Sequence, residues 1–122
     1  MKIEKKNFNL DEVIRLNSVL EFEPMFNDLF ITLNTEAEDG SLVLSDNVMA
    51  ERQFVIAIGS MVREVEPFQE VLLDMEKMMV TEYDPENPHE KIQRIKIKPI
   101  EISGHMFGII DERSIKAKVK NQ

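Results

Sequence analysis

The chain has 122 residues, 15 basic and 23 acidic side chains, a formal net charge of −8 and no cysteine. This length predicts one domain with its own hydrophobic core, and the lack of cysteine excludes disulfides, thiol catalysis and thiolate metal sites. The negative charge argues against nucleic acid as a partner. No apolar run approaches the roughly 18 residues of a membrane span, and no signal-peptide pattern is present, so we expect a cytoplasmic protein.

The first 23 residues predict an N-terminal extension that contains a short helix. Asn9 can cap this helix, and Glu12, three residues later, completes a capping-box pattern. The helix would have two turns at most, and Pro24 ends the section. We therefore predict that the main folded domain runs from residue 24 to residue 122. The side chains on one side of the helix would be those of Leu10, Val13, Ile14 and Asn17.

Beyond residue 24, short apolar runs separated by Gly and Pro predict strands. Residues 29–33 alternate with a period of two, and residues 54–58 form a continuous apolar run that is typical of a fully buried strand. Ser103 and Gly104 predict a hairpin turn, and two X-Pro pairs in residues 83–89 predict an exposed loop. Many short strands with little helix predict an all-β fold, and specifically a small β-barrel. The other predicted strand segments are 71–73, 78–80, 95–102, 106–110 and 115–119.

The acidic segment 35–53 allows two interpretations. It holds five acidic residues and one arginine around the apolar triplet Leu42-Val43-Leu44. A segment this polar buries too little surface to order itself readily, which predicts a mobile loop that presents the triplet to a partner. Residues 41–44 also fit an ordinary short strand between turns, and the local pattern slightly favours that interpretation.

Charge is distributed unevenly along the chain. Residues 1–88 hold 7 basic and 19 acidic side chains, whereas residues 89–122 hold 8 basic and 4 acidic ones. Near the end of the chain, Lys116, Lys118 and Lys120 alternate with apolar residues, which is typical of the solvated face of a strand. This asymmetry would also fit a nucleic-acid-binding arm. It would equally fit a head-to-tail contact between acidic and basic faces of neighbouring subunits.

Residues that could carry catalysis are few. His89 lies in the Pro-rich loop and His105 follows the predicted hairpin turn, and neither has a second His or Cys at metal-ligand spacing. The chain contains no Gly-rich phosphate loop and no nucleophile elbow. We therefore predict no enzymatic activity, no catalytic residue, no bound metal and no cofactor.

Over roughly residues 26–119, the order of these segments resembles the GroES-like co-chaperonins. Residues 26–33 look like the family's opening strand, and residues 54–60 resemble the strand after its mobile loop. Residues 100–110 and 111–119 are similar to its Gly-containing hairpin and its closing segment. The segment that corresponds to the Gly-Gly-Ile-Val-Leu of the family's mobile loop is Gly40-Ser41-Leu42-Val43-Leu44.

Several features depart from the family pattern. Phe68-Gln69 replaces a Gly-Asp turn, and Ser41 replaces the second Gly of the loop. The inserted region at about 75–98 predicts a roof hairpin longer than the family's, and the N-terminal 23 residues have no counterpart in the shortest members. Such divergence resembles a viral or otherwise specialised member, which would act in the host cytoplasm.

The resemblance implies a co-chaperonin, a homo-oligomeric ring of seven subunits that caps the apical domains of a GroEL-like chaperonin and closes its folding chamber. The mobile loop would dock through Gly40, Ser41, Leu42, Val43 and Leu44. The first and last strands would meet between neighbouring subunits, and neither a membrane nor a nucleic acid is an expected partner. The predicted subunit-interface residues are Leu29, Ile31, Leu33, Ile115, Ala117 and Val119.

Two other functional classes stay open at this point. A structural or assembly protein, such as a capsid or virion component, could use the same barrel without any chaperonin partner. An enzyme or a ligand-binding barrel is a third class, and the lack of a catalytic constellation disfavours it.

Overall fold

The computed structural model describes residues 7–35 and 49–120, which form mainly β-strands. The prediction of a mainly β fold is thereby confirmed. Two α-helices, α1 (Leu10–Ser18) and α2 (Met75–Met78), and a 3₁₀ turn at Glu112–Ser114 accompany the strands. The strands are β1 (Asp28–Ile31), β2 (Arg52–Ile58), β3 (Glu70–Leu73), β4 (Met79–Tyr83), β5 (Lys91–Ile95), β6 (Lys98–Ile102), β7 (His105–Asp111) and β8 (Ile115–Lys118).

Six strands form one antiparallel sheet in the order β6-β7-β1-β2-β3-β8. β4 and β5 pair separately as a two-stranded hairpin, which lies within the region where the sequence predicts an insertion. In the ranges 7–35 and 49–120, neither sheet closes on itself, because β6 and β8 are the two edges of the larger one. The closed barrel of the prediction is therefore not confirmed, whereas its strand-rich character is.

The six-stranded sheet has apolar side chains packed on both faces. In β1, the side chains of Leu29 and Ile31 enter one core cluster and that of Phe30 enters the other, as the two-residue period of a strand requires. In β2, Val55 and Ile56 divide in the same way, which explains why residues 54–58 form an uninterrupted apolar run. The prediction of a buried strand at this position is confirmed.

Helix α1 begins with the capping box that the sequence predicts. The Asn9 side chain accepts a hydrogen bond from the Glu12 backbone amide at 2.9 Å, and the Glu12 carboxylate accepts one from the Asn9 amide at 3.2 Å. The helix spans nine residues, which is about two and a half turns and exceeds the predicted two.

The buried side of α1 agrees with the predicted one at Val13 and Asn17 but not at Leu10 and Ile14. Val13 and Leu16 are buried, whereas Leu10 and Ile14 are 43% and 44% exposed. The Asn17 side chain donates a hydrogen bond at 2.8 Å to the backbone carbonyl of Ile56 on β2 and thereby fixes the rotation of the helix. With Phe8, the two buried residues join the cluster of Phe30, Ile56 and Phe107, so the N-terminal segment is part of the core.

The turn between β6 and β7 is confirmed as a two-residue hairpin. Ile102 pairs with His105, and the φ angles of Ser103 and Gly104 are 51° and 80°. Positive φ at both central residues defines the turn type whose twist matches that of paired antiparallel strands. Pro99 lies in β6 at the sheet edge, where a residue without an amide proton is tolerated.

Candidate functional site

Asn34, Thr35, Met49 and Ala50, which we call the stem of the acidic segment, lie beyond the C-terminal end of β1. The predicted docking residues Gly40, Ser41, Leu42, Val43 and Leu44 fall outside the described residues. On either side of them, Thr35 and Met49 form an antiparallel bridge, and the Ala50 amide donates to the Asn34 carbonyl at 2.9 Å. Thr35 and Met49, which flank the segment 36–48, therefore lie at adjacent points of the fold.

A buried amide side chain fixes this stem. Gln53 is fully buried, and its Nε2 donates to the carbonyls of Asn34 and Ala50 at 2.8 and 2.7 Å. Its Oε1 accepts from the Asn34 amide and from the Thr32 hydroxyl, both at 2.7 Å. The Thr32 hydroxyl also accepts a hydrogen bond from the Phe54 amide at 2.9 Å. Gln53 thus connects the two sides of the stem, Asn34 on one side and Ala50 on the other.

These side-chain bonds supplement the backbone bond from the Thr32 amide to the Phe54 carbonyl, at 3.0 Å, just beyond a register shift. Phe30 pairs with Ala57, but Ile31 pairs with Val55, so one residue of β2 is skipped. β1 ends at Ile31, and the predicted continuation to Leu33 is not a strand. The role of Gln53 was not predicted from the sequence. The signal that could have indicated it is its position, as a polar residue directly before the buried apolar run.

The predicted interface residues divide between the core and the surface. Leu29 and Ile31 are fully buried in the core of their own chain, and their place at a subunit interface stays a prediction. The core clusters cover both faces of β1, and β2 and β7 pair along its two edges. Leu33 and Ile115 are half-buried, as is Val119, while Ala117 is exposed.

β8 is an edge strand of the sheet. It pairs with β3, with Lys118 opposite Val71 and Ala117 opposite Leu72, and it has no second neighbour among the described strands. The Val119 amide donates to the Glu70 carbonyl of the β3 side at 2.9 Å. Because backbone groups alternate in direction along a strand, those of Lys118 point toward the free edge. An unpaired edge is a template for pairing with another chain.

An exposed group of apolar side chains lies at the N-terminal end of β1. Met25, Phe26 and Met61 are 63%, 59% and 49% exposed, and we call these three the apolar patch. The Met61 amide donates to the Phe26 carbonyl at 2.9 Å, which brings the two segments together. Phe22, which is 64% exposed, precedes the patch in the same segment. Exposed clusters of large apolar side chains mark interaction surfaces.

The backbone beneath the apolar patch is tightly constrained. The Asp28 amide donates to the Met25 carbonyl at 3.0 Å and closes a turn in which Phe26 has a φ of 55°. A Cβ on Gly59 would lie 2.4 Å from the Phe26 carbonyl oxygen, so only glycine allows this approach. A left-handed conformation costs a non-glycine residue about 1–2 kcal/mol. The fold therefore places a large exposed ring at a position where glycine would be less strained.

An open cleft of about 640 Å³ adjoins the apolar patch. Its walls come from the end of α1, the segment before β1 and the end of β2, and its volume is in the range of small-ligand pockets. Its lining includes Asn17, Leu20, Pro24, Ile58, Ser60 and Pro67. The cleft offers apolar contact beside the patch and holds only Glu23 as an ionisable lining residue among those described.

Glu112 fastens the loop that carries Met61. Its Oε2 accepts from the backbone amides of Glu64 and Arg63 at 2.7 and 2.9 Å. These hydrogen bonds, the one from Glu64 first, hold the pKa of the Glu112 carboxyl below its usual value. The Glu112 amide donates to the Asn27 carbonyl at 2.9 Å, so the 3₁₀ turn also holds the turn before β1.

The two histidines and the acidic side chains within residues 7–35 and 49–120 form no metal-binding cluster. No group of three His, Cys, Asp or Glu side chains there could hold a metal ion. His89 is exposed in the β4–β5 loop, and His105 packs edge-on against the ring of Phe8 at 5.2 Å between centroids. No helix in the described part of the chain is long and apolar enough to cross a membrane.

The comparisons with known proteins leave the family open. The chain matches no protein-family model, and no curated protein matches its sequence.

Proposed function

We propose that this chain is a co-chaperonin that acts in the cytoplasm as a homo-oligomeric ring and caps a chaperonin cylinder. The observation that carries the proposal is the fixed stem at Asn34, Thr35 and Met49, from which the acidic segment with its apolar triplet departs. The stem lies between β1 and β2, which are neighbouring antiparallel strands of a mainly β chain. The closed β-barrel of that family is part of the proposal.

Docking through Leu42, Val43 and Leu44 would be weak for one subunit. Burying each side chain gains roughly 1.5–3 kcal/mol. Ordering a flexible segment costs on the order of 2–5 kcal/mol, and association adds a further cost. A ring multiplies the weak contact through effective concentration, because the first docked segment holds the others near their sites. A cap of this design binds firmly and is still able to dissociate.

The ring contact that we propose differs from the one expected from the sequence alone. The free edge of β8 and the segment before β1 are two different surfaces of one chain, as a head-to-tail ring requires. Glu21 and Glu23 flank the exposed Phe22, and Lys116 and Lys118 flank Ala117 on β8. We propose that residues 21–26 of one subunit lie along β8 of the next, where opposite charges would face each other.

Native mass spectrometry combined with chaperonin capture tests the proposal. We expect a seven-membered ring that co-sediments with a GroEL-like chaperonin in the presence of nucleotide. We expect Val43→Asp to abolish co-sedimentation and to leave the ring intact, because a carboxylate cannot enter an apolar groove without a large desolvation cost. Val19→Asp is the matched control, since Val19 is 54% exposed at the end of α1 and should bind normally.

The same experiment tests the alternative of a structural or assembly protein. The apolar patch and the free edge of β8 would serve any assembly of this chain. Capture of Val43→Asp by the chaperonin at the level of the unaltered protein would contradict the docking segment. A dimer or trimer with no affinity for a chaperonin would reject the co-chaperonin function and favour the assembly protein.

A further inference from the structure

The N-terminal segment, residues 7–18, contacts the stem at two places, and at each an asparagine side chain both donates a hydrogen bond to one backbone residue and accepts one from it. The Asn7 side chain donates to the Thr35 carbonyl at 2.8 Å and accepts from the Thr35 amide at 2.9 Å. The Asn34 side chain donates to the Phe8 carbonyl at 3.0 Å and accepts from the Phe8 amide at 2.9 Å. Each side-chain amide thus satisfies both backbone groups of one residue, as a neighbouring strand would.

The segment that makes these contacts is itself anchored in the core. Phe8 is 8% exposed, and its ring lies 5.0 Å from that of Phe107 on β7 between centroids. Immediately after it, the capped helix α1 buries Val13 and Leu16 against the sheet. Asn7 and Phe8 therefore hold the stem from a rigid base.

Asn34 is the residue at which the contacts converge. Gln53 binds its backbone amide and carbonyl, Ala50 donates to the same carbonyl, and Phe8 pairs with its side chain. Residues 32–34 lie beyond the end of β1, where two backbone hydrogen bonds hold them, from the Thr32 amide to the Phe54 carbonyl at 3.0 Å and from the Ala50 amide to the Asn34 carbonyl. The position of the outgoing chain also depends on side chains from two distant parts of the sequence.

We propose that the N-terminal segment is a positioning element for the segment 36–48, and that Asn7 and Asn34 are its positioning residues. The inference rests on the proposed function, in which residues of that segment dock on a chaperonin. A stem that is ordered before docking lowers the entropy that docking loses. Release of Asn34 and Thr35 from the N-terminal segment should therefore weaken docking without loss of the fold.

Amide hydrogen exchange of the full chain tests the physical part of the proposal. In Asn7→Ala, we expect exchange at the Thr35 amide to become roughly tenfold faster, because its acceptor is lost. Exchange at Leu29 and Ile31 should not change, since these residues lie in the core. Asn87→Ala, the same substitution in the exposed β4–β5 loop, is the matched control and should leave Thr35 unchanged. Unchanged exchange at Thr35 in Asn7→Ala, or equal acceleration in β1, would overturn the proposal.

Binding to a chaperonin, measured on rings of verified size, tests the functional part. We expect Asn7→Ala and Asn34→Ala to weaken binding by roughly tenfold or more, because a small loss per subunit is repeated around the ring. Asn87→Ala should bind like the unaltered protein. If both stem variants bind normally while Thr35 exchanges faster, the positioning role is wrong and the docking function stands. If the unaltered protein does not bind, the proposed function fails, and the positioning role fails with it.

Discussion

At the C-terminal end of β1 the chain satisfies its polar groups within itself, whereas at the N-terminal end it leaves large apolar side chains in solvent. The stem end carries the fully buried Gln53 and Thr32, and every buried side-chain nitrogen or oxygen in the described residues has a partner. The other end carries the apolar patch on a turn with a left-handed phenylalanine. One strand thus separates a region whose polar groups are paired internally from a region with exposed apolar side chains, and substitutions at the two ends should affect different properties.

The largest effect on stability is expected at Gln53. Gln53→Leu removes four hydrogen bonds and leaves the Asn34 amide and the Ala50 carbonyl without their buried partner. An unsatisfied buried polar group costs about 1–3 kcal/mol, so we expect a loss of roughly 3 kcal/mol or more in the free energy of unfolding. Urea denaturation measures it. Gln93→Leu on the exposed hairpin is the matched control and should change stability by less than about 0.5 kcal/mol.

A smaller effect is expected at Phe26, where stability and association should separate. Phe26→Gly relieves the left-handed strain, so it should be about 1 kcal/mol more stable than Phe26→Ala in urea denaturation. Both variants lose the exposed ring and should lower self-association in analytical ultracentrifugation. Equal stability of the two variants would show that the turn carries no strain, and unchanged association would remove the ring from the proposed subunit contact.

The smallest effect is expected from the titration of Glu112. The pKa of Glu112 is lower in the folded chain than in the unfolded one, so ionised Glu112 stabilises the fold at pH values above its ordinary pKa of 4.5. That contribution is lost as the pH falls through the lowered pKa. We expect a loss below about 1 kcal/mol, since the carboxyl is near solvent. Urea denaturation between pH 6 and pH 3, about the span in which carboxyls titrate, should show a steeper fall for the unaltered chain than for Glu112→Gln. Parallel curves would contradict this role.

Local patterns predicted the elements that depend on neighbouring residues. The capping box of Asn9 and Glu12, the apolar run of β2 and the turn at Ser103 and Gly104 are each signalled by residue types close together in the chain. The buried side of α1 was predicted in part: Val13 and Asn17 face the sheet, whereas Leu10 and Ile14 are exposed and Leu16 is buried instead. Periodicity indicates that a helix has an apolar side but does not fix its rotation.

The candidate site was predicted only in outline. Alternation correctly placed Leu29 and Ile31 on one face of a strand, but it could not tell that β2 and β7 lie on both sides of that strand. The assignment of those two residues to a subunit contact stays a prediction, and both lie in the core of their own chain. The stem contacts of Asn7 and Gln53 join residues 28 and 19 positions apart, and no local pattern announces them.

The sequence by itself determined the strand-rich character, the helix cap, the hairpin turn and the acidic segment with its apolar triplet, because each depends on residue types close together in the chain. Only the tertiary structure decided which apolar residues stay exposed, which strand is an edge and what holds the stem. Those properties depend on which distant segments meet, and the free energy of such meetings comes from shared burial and hydrogen bonds that a single segment does not contain.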